Sequence, residues 1–232
     1  MNRDILERLV RARRGRRIAT LVTDTADGRQ LLIGEDGPAG TLEPPAEVLA
    51  LAREWAAAGR TGLLPEPHDR FFVQTEQPEP RLVVVGAVHI AQALMPMARL
   101  AGFDAVLVDP RTGWSTPERF PDCVLAHEWP DDYFAAHPID RMTAVVTLTH
   151  DEKLDDPALR AALNSPTFYI GALGSRRTAA LRRERLLAEG FDEAALARIS
   201  GPAGLAIGAV SPAEIAVSIL AEVIRARRAG GG

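Results

Sequence analysis

The sequence contains very little cysteine: of its 232 residues, only Cys123 carries a thiol. A single thiol excludes an intramolecular disulfide, and it excludes zinc and iron–sulfur sites that need several cysteine ligands. Cys123 stands between the polar segment RFPD and the apolar segment VLA. This setting favours a small buried side chain, and a reactive thiol is the alternative interpretation.

Long hydrophobic runs are also missing. No segment approaches the stretch of about 20 apolar residues that a membrane-spanning helix needs. The initial segment MNRDILERLV contains acidic residues and lacks the apolar stretch of a secretory signal. We therefore expect a cytoplasmic protein with no membrane segment.

The chain has no excess of positive charge, since its formal net charge is −4. Nucleic-acid-binding domains favour a basic surface, so we expect no nucleic-acid partner. The exception is the segment Arg11–Arg17, which reads RARRGRR. We interpret this segment as the solvated end of a helix, and a grip for an acidic partner is the alternative.

The composition itself is that of a globular protein, with 47% hydrophobic and 25% charged residues, and it predicts a packed core. Residues 1–76 are predicted to form a small α+β module, because helical spacing and strand-like runs alternate there. The predicted elements are helices at 2–14 and 46–59 and strands at 18–24, 29–35 and 69–76. The proline-containing linker 77–80 is the best candidate for a domain boundary.

The pattern changes after this linker. Residues 81–228 alternate continuous apolar strands with helical segments, which indicates an α/β domain with a Rossmann-like, doubly wound parallel sheet. The predicted strands are 81–87, 104–110, 142–149 and 167–173, and the predicted helices are 90–102, 156–164, 176–189, 192–199 and 211–228. In a sheet of this kind the ligand crevice lies at the carboxyl ends of the strands.

The first candidate site is the turn Gly86-Ala87-Val88-His89, which joins the first of these strands to its helix. Such a turn directs backbone N–H groups at a phosphate, and Asp109, about twenty residues on, could accept hydrogen bonds from a ribose. The dinucleotide fingerprint has glycine where this chain has Val88, which argues against NAD(P). A tight turn without a ligand is the alternative.

The second candidate site, Thr149-His150-Asp151, follows the strand at 142–149. A histidine beside an acid could carry a proton, donate a hydrogen bond to an oxyanion or ligate a metal. His89 is expected at the same rim of the sheet. The alternative is that Asp151 caps the next helix and His150 closes a turn.

The third candidate site is the segment Gly171–Thr178, after the strand at 167–173. Its glycines allow close approach of a ligand to the backbone, Ser175 can cap the next helix, and Arg176 and Arg177 suit a phosphate. We predict an anion site here. A capped helix with solvated arginines is the alternative.

A fourth segment, Gly201–Gly208, is rich in glycine and predicts tight backbone packing at the border of the crevice. It leads to Ser211, Pro212 and Glu214, which have the spacing of a helix N-terminal capping box. Glu214 is therefore interpreted as structural.

These four segments, in this order, resemble the C-terminal domain of the XdhC/CoxI family, the xanthine dehydrogenase accessory factors. The resemblance runs from about Arg81 to Ala226. It rests on the segments GAVHIAQAL, VDPR with ERFP, VVTLTHDEKLDDPALRAALNSP, YIGALGSRRT and GPAGLAIGAVSPAEIAVSILAE.

The resemblance implies an accessory or chaperone function and not a metabolic reaction. Such a protein binds the molybdenum cofactor, a molybdopterin that can be joined to a nucleotide, and assists its sulfuration by a cysteine desulfurase. It then assists insertion into a xanthine dehydrogenase or a related molybdenum hydroxylase apoenzyme, and a homodimer is a further expectation. The matching motif positions predict the cofactor-binding residues Gly86, His89, Asp109, Arg111, His150, Asp151, Gly171, Gly174, Ser175 and Arg176.

Within this set, the glycines and Arg176 are expected to hold phosphate, Asp109 to bind a ribose or pterin, and the histidines to face the reactive end. No residue is assigned a catalytic role, and no metal ligand is assigned.

The chain departs from the family pattern in two places. Val88 replaces the second glycine of a Gly-x-Gly-His turn, and the segment Gly34–Thr41 lacks the cysteine that the family's N-terminal domain usually carries. We therefore expect no thiolate-dependent step. Two alternatives remain: an NAD(P)-dependent oxidoreductase on the same fold, and a degenerate partner that acts through protein contacts without a ligand.

Overall fold

The computed structural model describes residues 2–229, which form two compact units. The first unit ends at Pro78, and the second runs from Glu79 to Ala229. Within residues 2–229, no helix combines the length and the apolar character needed to cross a membrane.

The first unit is built on a five-stranded antiparallel sheet with the strand order β3-β2-β1-β5-β4. Its elements are α1 (Arg3–Arg14), β1 (Ala19–Asp24), β2 (Gln30–Gly34), β3 (Ala39–Gly40), α2 (Ala46–Ala57), β4 (Gly62–Leu63) and β5 (Phe71–Glu76). The two-residue strands β3 and β4 were not predicted, because two residues show no periodicity.

The glycine-rich segment of this unit has a structural explanation at one position. Gly40 has a φ of +134°, and a Cβ there would lie 2.1 Å from the carbonyl oxygen of Gln30 on the neighbouring strand. Only glycine permits this approach of two backbones. The glycine at position 40 is therefore required by strand pairing.

The second unit contains a six-stranded, all-parallel sheet with the strand order β11-β10-β9-β6-β7-β8, so the predicted Rossmann-like architecture is confirmed. Its strands are β6 (Arg81–Val85), β7 (Asp104–Val108), β8 (Val124–Ala126), β9 (Thr143–Thr147), β10 (Tyr169–Ala172) and β11 (Ile199–Ser200). Its helices are α3 (His89–Leu100), α4 (Pro130–Ala136), α5 (Glu152–Leu163), α6 (Arg176–Ala188), α7 (Glu193–Leu196) and α8 (Pro212–Ala229).

Helices cover both faces of this sheet. Side chains of α3 and α8 pack on one face in an apolar cluster that includes Leu94 and Ile219. Side chains of α4, α5, α6 and α7 pack on the other face, in a cluster that includes Leu159 and Leu186. The continuous apolar runs of β6 and β9 follow from this arrangement, because both faces of each strand are buried.

The predicted helix at 192–199 is present but shorter than expected. The helix α7 ends at Leu196, and Ile199 pairs with Ile170 as part of the short edge strand β11. Pairing with β10 satisfies this backbone in a way that local spacing does not reveal. The elements β8 and α4 were not predicted either, and α5 begins at Glu152, four residues earlier than expected.

The strand order defines where ligands can enter. From β6 the chain proceeds outward to β7 and β8, and it then returns to β9 on the other side of β6. A reversal of this kind opens a crevice at the carboxyl ends of the two central strands. The turns after β6, β7, β9 and β10 therefore border this crevice.

Candidate functional site

The turn after β6 is in direct contact with the turn after β9. Gly86 has a φ of +109°, and a Cβ there would lie 2.2 Å from the Cγ2 atom of Thr149. The Gly86 N–H donates to the carbonyl of Val108 at 3.0 Å, which ties this turn to β7 as well. Glycine is therefore required where the turns after two neighbouring strands meet.

The helix α3 begins at this turn with an open N-terminus. Its N-cap residue Val88 provides no side-chain cap, and its first turn contains no acidic residue. His89, the first residue of the helix, is exposed. Val88 is half-buried and packs against the apolar cluster beneath α3. The first N–H groups of this helix are thus not capped by a side chain and could bind an anion.

Asp109, at the carboxyl end of β7, is fully buried and already has four hydrogen bonds. Its Oδ2 atom accepts from the Ala87 N–H at 2.8 Å and from Arg111 Nη2 at 2.7 Å. Its Oδ1 atom accepts from the N–H and from Nε of Arg111, both at 2.9 Å. The carboxylate that was predicted to bind a ribose therefore holds the Arg111 guanidinium in place.

Electrostatics agree with this geometry. Burial alone would raise the pKa of Asp109, but hydrogen bonds from Arg111 and from the Ala87 N–H outweigh it and leave the pKa below its ordinary value. The pKa of Arg111 is raised, mainly by its hydrogen bonds to Asp109. Both groups are therefore charged at neutral pH.

The turn after β9 places His150 at the surface with a backbone strained into the left-handed region, at a φ of +69°. Asp151 is the N-cap of α5 and accepts from the Lys153 N–H at 3.0 Å, which confirms the capping interpretation of that residue. Non-glycine residues adopt a positive φ only where surrounding contacts hold them. The group that provides these contacts is Asp155.

Asp155 lies on α5 beneath this turn and is buried. It accepts hydrogen bonds from Thr149 Oγ1 at 2.6 Å and from the His150 N–H at 3.1 Å. Burial raises its pKa, and hydrogen bonds from Thr149 together with the charge of Arg182 only partly offset the effect. No local sequence pattern identifies Asp155, because its partners are distributed over two elements.

Arg182, on α6, is buried beside Asp155. Its Nη2 atom lies 3.6 Å from the Asp155 carboxylate and donates to the Leu173 carbonyl at 3.0 Å. Its Nε and Nη1 atoms have no hydrogen-bond partner among the described residues, although both are buried. This pair joins the turn after β9 to the turn after β10 from beneath.

The remaining predicted residues extend from the end of β10, which includes Gly171, through the following turn to Arg176 at the start of α6. A Cβ at Gly171 would lie 2.7 Å from the ring of Tyr169, and Gly174 has a φ of +148°. Ser175 is the N-cap of α6 and accepts from the Thr178 N–H at 3.1 Å. Arg176 is exposed at the first position of this helix, which has no acid in its first turn.

A second buried polar contact fixes the glycine-rich segment that follows β11. Tyr169 donates its phenolic hydrogen to Glu222 at 2.6 Å, and the Gly204 N–H donates to the same carboxylate at 2.7 Å. A Cβ at Gly204 would lie 2.4 Å from Ser218 Oγ, which agrees with the predicted tight packing. Burial, followed by the contact with Glu222, raises the pKa of Tyr169 far above its ordinary value.

The capping box at the start of α8 has the predicted hydrogen bonds. Glu214 accepts from the N–H groups of Val210 and Ser211, both at 2.8 Å, and its own N–H donates to Ser211 Oγ at 3.3 Å. Glu214 is therefore structural.

The thiol of Cys123 lies away from these turns. Cys123 directly precedes β8, so it stands at the amino end of a parallel strand, whereas the candidate site lies at the carboxyl ends. Its side chain is partly buried against the apolar cluster beneath α3, and burial raises its pKa. No group of three or more histidine, cysteine or acidic residues within residues 2–229 is arranged to hold a metal ion.

The structure thus brings most of the predicted residues to one edge of the sheet. Gly86 meets Thr149, Asp109 supports both the Gly86 turn and Arg111, and the turns after β9 and β10 share the buried pair beneath them. Beside α6 there is also a cleft of about 310 Å³, lined mainly by alanines and by residues of the segment 196–201.

Comparison with known proteins shows that most of the second unit matches a known domain family. Residues 82–223 match the XdhC Rossmann domain family. The chain is 32% identical over 158 residues to a Bacillus subtilis protein whose name describes a probable xanthine dehydrogenase subunit, covering 68% of this chain and 46% of that protein. It is 33% identical over 147 residues to the molybdenum cofactor insertion chaperone PaoD of Escherichia coli, covering 63% and 40%.

A third relative, the uncharacterized protein YqeB of Escherichia coli, is 32% identical over 161 residues, covering 69% of this chain and 30% of YqeB. The matches thus span less than half of the length of each of these curated relatives. A crystal structure of a xanthine dehydrogenase from Bacillus halodurans superposes with a TM-score of 0.72 at 24% identity, covering 98% of this chain and 67% of that one. This last likeness supports the fold.

Proposed function

Because this chain belongs to the XdhC Rossmann domain family, we propose that it is an accessory protein that binds the molybdenum cofactor and assists its insertion into a molybdenum hydroxylase. Two relatives carry names that support a maturation role, one as a molybdenum cofactor insertion chaperone and one as part of a probable xanthine dehydrogenase. The cofactor is in this proposal the cargo of the protein, and the client is a xanthine dehydrogenase or a related apoenzyme.

The observation that carries the proposal is the open N-terminus of α3, at the turn where Gly86 meets Thr149. A molybdopterin ends in a phosphate or, when joined to a nucleotide, contains a pyrophosphate. Uncapped N–H groups and the positive end of a helix dipole favour such a group. Arg111 and Arg176 add guanidinium groups at the same edge of the sheet, and guanidinium groups suit phosphate.

The residues present fit the phosphate end of the cargo better than its metal end. The thiol of Cys123 lies at the opposite ends of the strands, so it cannot ligate a metal bound at this edge. We therefore propose that assistance with sulfuration consists of presenting the cofactor to a cysteine desulfurase. His89 and His150, which are exposed beside the crevice, would face the reactive end. A homodimer remains part of this proposal.

Binding and maturation test this proposal directly. Purified protein at micromolar concentration is mixed with molybdopterin, and bound cofactor is measured by gel filtration and oxidative conversion to a fluorescent pterin. In parallel, the loaded protein is added to an apo molybdenum hydroxylase, and the recovered activity is measured. Arg176→Ala should weaken both results, whereas Arg53→Ala, an exposed arginine of the first unit, should not. If Arg176→Ala retains both cofactor binding and maturation, the assigned phosphate contact is contradicted.

The alternatives predict different results. An NAD(P)-dependent oxidoreductase would show saturable binding of NADH or NADPH with turnover, although the engaged state of Asp109 disfavours a ribose contact at that position. If the protein is a degenerate partner that acts only through protein contacts, the variants His150→Ala and Arg176→Ala should each support maturation as well as the wild type does. Absence of both cofactor binding and maturation in the wild type would overturn the proposed function.

A further inference from the structure

The segment that follows β7 is closed on itself by hydrogen bonds. Ser115 Oγ donates at 3.2 Å to the carbonyls of Asp109 and Arg111, and the Trp114 N–H donates to the Arg111 carbonyl at 2.9 Å. A ring nitrogen of His127 lies 2.8 Å from the Ser115 carbonyl. These contacts connect the segment to the carboxyl end of β7 and to the residue that follows β8.

The outward feature of this segment is an exposed indole between cations. Trp114 is 52% exposed, although tryptophan is highly buried on average. The guanidinium carbons of Arg111 and Arg119 both lie 5.6 Å from the centre of its ring. Arg119 also donates to the Trp114 carbonyl and lies over the ring of Phe120. Trp114 thus keeps about half of its surface exposed while two guanidinium groups lie over its ring.

The position of this group in the fold connects it to the crevice. Asp109 fixes Arg111 through a bidentate contact and at the same time accepts from the Ala87 N–H in the turn before α3. The Asp109 carboxylate therefore positions both Arg111, which lies beside the indole, and the turn that leads to the open N-terminus of α3. A bound molecule at this strand end would meet a cation and an aromatic ring, since the carboxylate itself has no exposed surface.

We propose that Trp114, Arg111 and Arg119 form a subsite that stacks a planar nitrogen heterocycle belonging to a phosphorylated ligand. Aromatic stacking recognises the flat face of any such ring, and the two cations attract its phosphate. Two parts of a molybdenum cofactor carry this chemistry, the pterin and the base of an attached nucleotide. The identity of the ligand rests on the proposed function, whereas the subsite itself rests on this geometry.

The experiment compares ligands with and without a ring on variants of one residue. Binding of guanosine 5′-monophosphate, cytidine 5′-monophosphate, 6-hydroxymethylpterin and ribose 5-phosphate is measured by isothermal titration calorimetry. At least one ring-bearing probe should bind the wild type more tightly than ribose 5-phosphate. Trp114→Ala should weaken that binding by about tenfold or more, in line with the measured contribution of base–aromatic stacking.

Two further variants make the result specific. Trp114→Phe keeps an aromatic face and should retain most of the affinity, which separates stacking from a folding defect. Trp129→Ala removes a tryptophan that is 47% exposed and that has no arginine over its ring among the described residues; it should bind like the wild type. Loss of pterin binding alone would assign the subsite to the pterin, and loss of nucleotide binding alone would assign it to the attached nucleotide.

Several outcomes overturn the subsite: no ring-bearing probe binds better than ribose 5-phosphate, Trp114→Ala binds like the wild type, or Trp129→Ala is equally impaired. Failure of the proposed function gives a different pattern. In that case the wild type does not mature an apo hydroxylase, while ring-bearing probes still depend on Trp114. Conversely, maturation by the wild type with unchanged probe binding in Trp114→Ala would refute the subsite alone.

Discussion

Replacing Asp155 by alanine tests whether one buried carboxylate holds the crevice together. Asp155 is 1% exposed, and it accepts hydrogen bonds from Thr149 Oγ1 and from the N–H of His150. Its carboxylate also lies 3.6 Å from Arg182, which donates a hydrogen bond to the Leu173 carbonyl and interacts with the charge of Asp156 as well. Asp155→Ala therefore leaves a buried cation and a strained turn without the group that supports them.

The magnitude follows from these contacts. Removal of one partner of a buried ion pair costs about 3–5 kcal/mol, because the remaining charge is left in a medium of low polarity. The pKa of Asp155 is raised by burial, so removal of the carboxylate also returns part of its own desolvation cost. We therefore expect a loss at the lower end of this range, about 3 kcal/mol. For a protein of this size it corresponds to a Tm lower by about 6–12 °C.

Thermal unfolding followed by circular dichroism, together with urea titration at neutral pH, measures this loss. The matched control is Asp156→Ala, the adjacent position, since Asp156 pairs with the partly exposed Arg185 at 2.9 and 3.1 Å. Asp156 is itself buried, but the Arg185 that it would leave behind is partly exposed and also pairs with Glu152 at 2.9 Å, so we expect a smaller loss of about 1–2 kcal/mol. Asp155→Asn should be intermediate, because one oxygen remains for Thr149. The reasoning is refuted if Asp155→Ala unfolds no earlier than Asp156→Ala.

Three further results are expected from the same structure. Gly86→Ala should lower the free energy of unfolding by about 2 kcal/mol or more, seen as a lower urea midpoint, because the new Cβ would lie 2.2 Å from Thr149 at a positive φ. Tyr169→Phe should cost about 1.5–3 kcal/mol in the same assay, since it removes a 2.6 Å hydrogen bond to the buried Glu222. Asp109 has a lowered pKa despite its burial, so its contribution to stability is present above the ordinary value of 3.8 and is lost as the pH falls through the lowered value. In urea titrations carried out over this acidic range, the free energy of unfolding of Asp109→Asn should therefore depend less on pH than that of the wild type.

The architecture of the second unit could be predicted from the sequence because its strands are buried on both faces. The apolar runs of β6 and β9 and the glycine that follows β6 are local patterns, each produced by one element. The helix caps at Asp151 and Ser211 are local as well, since a side chain bonds an N–H two or three residues away. Local chemistry of this kind is visible without a structure.

The support of the crevice could not be predicted in the same way. Tyr169 and Glu222 are 53 positions apart, and Asp155 joins residues of α5, α6 and the turn after β9. No spacing in the sequence relates these positions, because the fold alone brings them together. The edge strand β11 was missed for a related reason, since two residues acquire strand geometry only by pairing with β10.

For Asp109, the role in ligand selection that the structure indicates is the opposite of the role that its sequence spacing predicts. Its spacing from Gly86 predicts an acceptor for a ribose, and the structure does place it at the end of β7. Arg111, two residues later, occupies both carboxylate oxygens and has a partly exposed guanidinium. A ligand at this strand end therefore meets the Arg111 guanidinium and the indole of Trp114, and the carboxylate of Asp109 is already engaged. A ribose hydroxyl would gain no free acceptor from Asp109, whereas a phosphate or a planar ring would gain a contact with Arg111 or Trp114. The engagement of Asp109 by Arg111 thus disfavours the ribose contact that the dinucleotide fingerprint places at this strand end, and it does so independently of Val88.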